Sequence, residues 1–304
     1  MRTVAVVGTV VDDRITGRDG TTRGSLGGIA YSVGALSALA GSEVRILPVC
    51  RVGTDLLARL TRHWSGLEGV ELDGLVAHDG PNTRIELDYR HGASGGDRRE
   101  RLTSPMPPLE ERDLAVARSA DSVLVNCITG FDLRLEALEE LAECTAPIHL
   151  DFHSLALGML GDGTRVPRSP RRAARWIATA DLLQCNKFEM ARIAGTDCLV
   201  AKTIATILDG GPQAVVVTAS ARGSILHLAD QPESVTIIAP PVNVLDPTGA
   251  GDTFGAAMVV ARLRGEGWAA AARYASLAAS ASCLLAGCEG LARLPEAMSA
   301  VGSG

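Results

Sequence analysis

Between 244 and 263 the chain reads VLDPTGAGDTFGAAMVVARL, the stretch richest in groups able to do chemistry. An extended apolar segment stops at Asp246 and Pro247, Thr248-Gly249-Ala250-Gly251-Asp252 follows, and an uninterrupted helical pattern begins. Gly249 and Gly251 let the backbone turn tightly and bare its N–H groups. At a helix N-terminus those groups, aided by the helix dipole, attract an anion. The loop lacks the Lys of a Walker-type phosphate loop, so that reading fails. It offers instead a carboxylate at the mouth of an anion cradle, where a hydroxyl could lose its proton while attacking a phosphoryl group. Asp at the start of a helix is also an ordinary cap. This stretch alone leaves base and cap equally open.

Asn186-Lys187-Phe188-Glu189 has the same ambiguity. Asn followed three residues later by Glu reads as a variant capping box, or as a pair able to hold the water shell of a metal ion. Asp151 and His153 follow a strand at the sheet end that faces ligands in α/β folds, and they read as a structural hydrogen-bond pair. Asn126 and Thr129 end another strand near the expected cleft. Arg84, Arg90 and the charged run at 98–101 read as a solvated face.

Short β-branched runs at 4–8, 43–50, 122–127, 147–152, 182–186 and 214–218 alternate with helical patterns at 29–40, 55–65, 132–144, 170–180 and 187–194. Two long Ala-rich helices, 250–263 and 268–286, close the chain. This order predicts an α/β fold with a mainly parallel central sheet covered by helices on both faces. Residues 12–25 and 81–103 break the alternation. The second reads as an antiparallel hairpin around a Gly-rich turn at 92–96, equally a lid over a cleft or a plain surface loop. The expected division is an α/β core of 1–11, 26–80 and 104–304 with a small β lid of 12–25 and 81–103.

The bulk numbers exclude several function classes. A chain of 304 residues, 46% hydrophobic and 21% charged, builds a sizeable core and is not disordered. Its net charge of −6, with no basic patch among stacking aromatics, argues against nucleic acid. The apolar start is too short for a membrane span and lacks a cleavage pattern, which predicts a cytoplasmic protein. Seven scattered cysteines without a C-x-x-C pair predict reduced core thiols.

DPTGAGDTF resembles the C-terminal signature of the ribokinase, or PfkB carbohydrate kinase, family. The resemblance covers nearly the whole chain: VAVVG followed by Asp13, the Gly27-Gly28 pair opening a helix, Arg51-Val52-Gly53-Thr54-Asp55, the Asn186 to Glu189 element, and VVVTASARGSIL at 215–226. It implies a ribokinase-like fold and an ATP-dependent kinase acting on a hydroxyl of a small polyhydroxy compound, a sugar or a nucleoside. Asp252 would then be the base, with the amides of Gly249, Ala250 and Gly251 stabilising the transferring phosphate. Asp13, Gly28, Ser32 and Asn126 would meet the substrate. Asn186, Thr218, Ser220, Gly223 and Ala279 would meet the nucleotide. Glu189 would hold Mg²⁺ through water, and Asp246, with carbonyls at 286–290, matches where relatives bind a monovalent cation, usually K⁺.

Two positions depart from the family pattern. Ser32 stands where Asn is usual, which alters the substrate pocket, and Ser220 stands where many members have Gly. GGIAYS at 27–32 is slightly nearer the nucleoside and inositol kinase branch than ribokinase itself. A non-catalytic binding protein on this fold is opposed by the intact Asp252, Gly249, Gly251 and Glu189, and a dehydrogenase by GTVVDD where G-x-G-x-x-G would stand. Because Ile85, Leu87 and Tyr89 give the hairpin one apolar face that must be covered, and relatives often pair their lids, a homodimer through the lid is expected.

Overall fold

Runs such as VAVV at 4–7, apolar on both faces, suit only strands covered from both sides, and the computed structural model buries all four residues completely. It describes residues 1–17, 19–90, 99–144, 146–195 and 200–302. The strands are β1 (Arg2–Gly8), β2 (Val10–Thr16), β3 (Thr22–Gly28), β4 (Val44–Gly53), β5 (Leu75–His78), β6 (Arg84–Asp88), β7 (Arg99–Thr103), β8 (Ser122–Asn126), β9 (Ile148–Asp151), β10 (Leu157–Met159), β11 (Arg165–Pro167), β12 (Leu182–Asn186), β13 (Ala214–Thr218), β14 (Ser224–Leu228) and β15 (Gln231–Ile237). The helices are α1 (Ile29–Ala40), α2 (Thr54–Trp64), α3 (Glu111–Leu114), α4 (Leu135–Ala142), α5 (Ala173–Ala178), α6 (Lys187–Ala194), α7 (Val200–Asp209), α8 (Ala250–Leu263), α9 (Trp268–Ser282) and α10 (Leu294–Gly302).

Nine strands form one sheet in the order β15-β14-β13-β12-β9-β8-β1-β4-β5. All its pairs are parallel except β13 with β14 and β14 with β15. One hydrophobic core gathers α1, α8 and α9 on one face, and a second gathers α4, α5 and α7 on the other. This is the mainly parallel α/β architecture, covered on both faces, that the alternation implied. Helices α1 and α8 are small-residue helices buried on nearly every side, which brings the N-terminus of α8 close against the sheet.

A separate four-stranded sheet has the order β3-β2-β6-β7, with β2 and β6 parallel and both outer pairs antiparallel. Residues 12–25 thus lie within a hairpin of real strands. The Gly-rich turn expected at 92–96 lies outside the described residues. Ile85 and Leu87, only 6% and 4% exposed, join Ile15, Leu26 and Leu102 in the chain's own core. The apolar face that called for a partner is covered within one protomer, which removes the physical reason for a lid-mediated dimer.

Other expectations differ at their edges. The last long helix stops at Ser282, four residues short, because the backbone turns there and the Cys283 carbonyl receives the N–H groups of Leu245 and Asp246. Helices α7 and α10 and the β10–β11 hairpin stand where no element was expected. Six cysteines are free thiols, four of them buried, and Cys198 lies outside the described residues.

Candidate active site at the N-terminus of α8

Gly249 is the residue before α8 and adopts φ 79°, the left-handed turn that glycine favours. A Cβ there would lie 2.0 Å from the Tyr31 ring, so the cradle fits under α1 only without a side chain. Ala250, Gly251 and Asp252 form the first turn. Gln184 on β12 donates to the Gly251 carbonyl at 3.0 Å, tying that turn to the sheet.

Asp252 faces the C-terminal ends of β8, β9 and β12. Asn126 Nδ2 donates to Asp252 Oδ1 at 3.1 Å and to Asp151 Oδ2 at 3.5 Å, while Ser32 Oγ donates to Asn126 Oδ1 at 3.1 Å. The Asn126 amide is thereby fixed in orientation. Gln184 Nε2 adds a bond to Asp151 Oδ2 at 3.2 Å, and its carbonyl meets His149 Nε2 at 3.0 Å. His153 Nδ1 lies 3.3 Å from Glu189 Oε1.

This cluster shifts its own protonation. Burial raises the Asp252 carboxyl to about 6, and the positive charge of His153 opposes that rise. Burial also lifts Asp151 to about 8, again against the pull of His153 and with further help from the charges of Glu189 and Asp252. For His153 burial disfavours the cation, but the hydrogen bond and charge of Glu189, with Asp151 and Asp252 behind, raise it to about 10. The shifts set an order: Asp252 gives up its proton more readily than Asp151, and the carboxylates around His153 favour its imidazolium. His153 also has φ 23°, an uncommon backbone for a non-glycine residue.

Asn186 caps α6, accepting from the N–H groups of Phe188 and Glu189 at 2.8 and 3.0 Å. Glu189 answers by accepting from the Asn186 N–H at 2.7 Å and from its side-chain amide at 2.6 Å. The capping box is real. Glu189 Oε1 meets two partners and Oε2 one, and among the described residues no group of three or more His, Cys, Asp or Glu is arranged to hold a metal ion. The second lone pair of Oε2 can accept from a metal-bound water, which fits an ion that arrives with phosphates and keeps its waters.

Asp13 is 5% exposed on β2 and packs on Gly27, where a Cβ would overlap its carboxylate. Gly28 begins α1 at φ 62° with the Thr9 carbonyl close by. Thr218 pairs with Asn186 across β12 and β13. Ser220 holds φ 53° and Gly223 φ 84°, which gives a reason for glycine being usual at the former position. Ala279 is partly exposed on α9, whereas Ala275 and Ser276 are core residues. Asp246 is 5% exposed and pairs with Arg23 of β3. Sequence reasoning undervalued Asp151 and His153, whose only signal was position after a strand, since D-x-H is common by chance, and it missed Gln184, which lies in the middle of β12 and carries no such signal.

The chain matches the model of the pfkB family carbohydrate kinases over residues 1–294. It is 27% identical to a ribokinase of Arabidopsis thaliana over 176 residues, 57% of this chain but only 43% of that protein. It is 24% identical to a cytidine kinase of Thermococcus kodakarensis over 277 residues, 87% of this chain and 90% of that one. A pyrophosphate-dependent kinase in the ribokinase family, solved with sulfate, superposes with a TM-score of 0.80 at 20% identity, covering 97% and 99% of the two chains. An E. coli protein described as a ribokinase II, bound to ATP and Mg²⁺, gives 0.76 at 18% identity over the full length of both. With a family model spanning nearly every residue, the chain belongs to the pfkB family of carbohydrate kinases, phosphotransferases with an alcohol group as acceptor.

Proposed function

We propose that the protein transfers the γ-phosphoryl group of ATP to a hydroxyl of a small sugar or related polyol. The observation that carries this reading is Asp252 at the mouth of the 249–251 cradle, its carboxyl raised to about 6 and bonded to Asn126. A base with a pKa just below neutral is ionised in the resting site and still able to take a proton as the acceptor oxygen attacks. Asp13 and Gly28 hold the acceptor. Ser32 and Asn126, expected at the substrate, have their polar groups committed to the carboxylate network and act through Asp252 as positioning residues. The N–H groups of Gly249, Ala250 and Gly251 receive charge on the moving phosphoryl group.

The adenine of ATP is assigned to the space between the 218–223 turn and α9 near Ala279, with Asn186 at the nucleotide's phosphates. Mg²⁺, when bound with the triphosphate, would neutralise its charge while Glu189 and Asn186 hold the ion's water shell. The imidazolium of His153 adds a fixed positive charge among the carboxylates. The free thiols support a reducing compartment and hence a cytoplasmic site of action, and no described helix is long and apolar enough to cross a membrane.

A second reading, nucleoside kinase, is favoured by the cytidine kinase match, which spans most of both proteins. One experiment separates the two. Pentoses, hexoses, inositols, sugar acids and nucleosides are screened with ATP and with pyrophosphate for product formation, and Asp252→Asn is run beside the wild type. Turnover on a sugar or polyol that collapses in the variant supports the first reading, and turnover on nucleosides alone supports the second. Undiminished turnover in Asp252→Asn removes the base from both.

A further inference from the structure

Asp246 was expected to face a monovalent cation, and the residues present do not fit one. Its Oδ2 accepts from Arg23 Nη2 at 2.5 Å and from the Gly287 N–H at 3.4 Å, and its Oδ1 accepts from the Thr248 N–H at 3.0 Å. Both oxygens are thus spent on donors. The 286–290 segment, expected to offer carbonyls, turns an N–H toward the carboxylate at Gly287. A cation seated here would compete with a guanidinium at hydrogen-bond distance and would meet an amide proton beside it.

We propose that Arg23 is a built-in cation that braces the phosphate cradle, so that this kinase works without a bound monovalent ion. Arg23 lies on β3, in register with Ile15 and two residues before Ser25, which is in register with Asp13. Alternation along the strand puts Arg23, Ser25 and Gly27 on one face. Ser25 lies near Gly287 and Gly27 lies over the Asp13 carboxylate, so this face looks onto the site. Asp246 lies three residues before Gly249, at the base of the loop that turns into α8. The ion pair therefore joins the small sheet that carries Asp13 to the loop that carries the cradle. Arg23 is half-exposed and Asp246 almost wholly buried, so the charge reaches in from the rim to a carboxylate fixed inside. A guanidinium stays protonated at any working pH and is covalently tied to its strand, so unlike an ion it cannot be diluted away. Arg23 is a positioning residue, since its partner is Asp246 and not the reacting atoms.

This inference rests on the cradle reading of the α8 N-terminus, but its test does not depend on turnover alone. Melting temperature and binding of a fluorescent ATP analogue are measured in KCl, NaCl and choline chloride at equal ionic strength. The wild type is expected to give the same values in all three. Arg23→Ala is expected to bind the analogue on the order of tenfold more weakly in choline, to recover in KCl or low guanidinium, and to lose that recovery when Asp246→Asn is added. Arg23→Lys should stay close to wild type. Where turnover is measurable, the loss should fall on KM for the phosphoryl donor more than on kcat.

A wild type that gains stability or affinity specifically from K⁺ overturns the proposal without any variant. So does a folded Arg23→Ala that binds as the wild type does and ignores added cations. Failure of every substrate in the screen would count against the kinase reading and leave this ion comparison standing.

Discussion

At the scale of single residues, the site is governed by how burial and charge divide three protonation states among neighbours. Asp252 must be ionised to act, and burial sets its carboxyl at about 6. The rate is therefore expected to fall as pH drops through that value. His153 holds Asp252 down, so His153→Gln should move the acid limb of the pH–rate profile to higher pH, and a limb that stays put would remove His153 from the network. Asp252→Asn should lower turnover roughly 10²- to 10⁴-fold while nucleotide binding persists, checked by kinetics and calorimetry on the same preparation. Asp151 titrates in the opposite sense to a salt-bridged carboxylate. Its folded pKa, about 8, lies above the ordinary value, so the folded state holds that proton more tightly. Its contribution to stability declines as pH rises from the ordinary carboxylate range through 8. Asp151→Asn, a mimic of the protonated form, should flatten that decline in denaturation curves above neutral pH.

At the scale of elements, two turns decide whether the pieces fit. Gly249→Ala would strain a backbone at φ 79° and drive a methyl group into Tyr31, so it should abolish activity and lower the melting temperature. Ser220 sits at φ 53°, a conformation costing a non-glycine residue about 1–2 kcal/mol. Ser220→Gly should recover part of that cost in chemical denaturation of the nucleotide-free protein, and an unchanged or lower midpoint would show that the turn is unstrained. The parallel strands and the cradle helix were legible because each is long, apolar and flanked by clear turn residues, as VAVVG and DPTGAGDTF are. Helix α7 was not, since five of the ten residues of VAKTIATILD are β-branched and suit a strand as well as a helix. The partnership of Asp151, Gln184 and Asn126 was illegible for another reason. Asp151 and Asn126 end β9 and β8 while Gln184 lies in the middle of β12, and only the sheet order, which no local pattern encodes, brings them together.

At the scale of the molecule, the small sheet is held by the chain's own core. Leu87 is 4% exposed with no second subunit present. Leu87→Ala should therefore cost about 2–5 kcal/mol in an unfolding midpoint that does not change with protein concentration. A midpoint that rises with concentration would restore the dimer and place this face in its interface. The sequence showed that the hairpin's apolar face needed cover, but the identity of the cover depended on where β2 brought β6, which alternation cannot tell.

The order of the large sheet has a consequence for how a newly made chain matures on the ribosome. β1 is an interior strand, flanked by β4 and β8. β4 is made soon after it, but β8 begins only at Ser122. At typical synthesis rates one edge of this largely apolar strand waits on the order of ten seconds for its neighbour. From β8 onward each new strand, β9, β12, β13, β14 and β15, is added to the outer edge in the order of translation. The Asp252 helix comes after all of them and is laid on a finished sheet. A chain stalled before residue 249 would hold every strand of the sheet and none of the cradle, with one face still lacking α8 and α9, so incomplete products are inert toward phosphate.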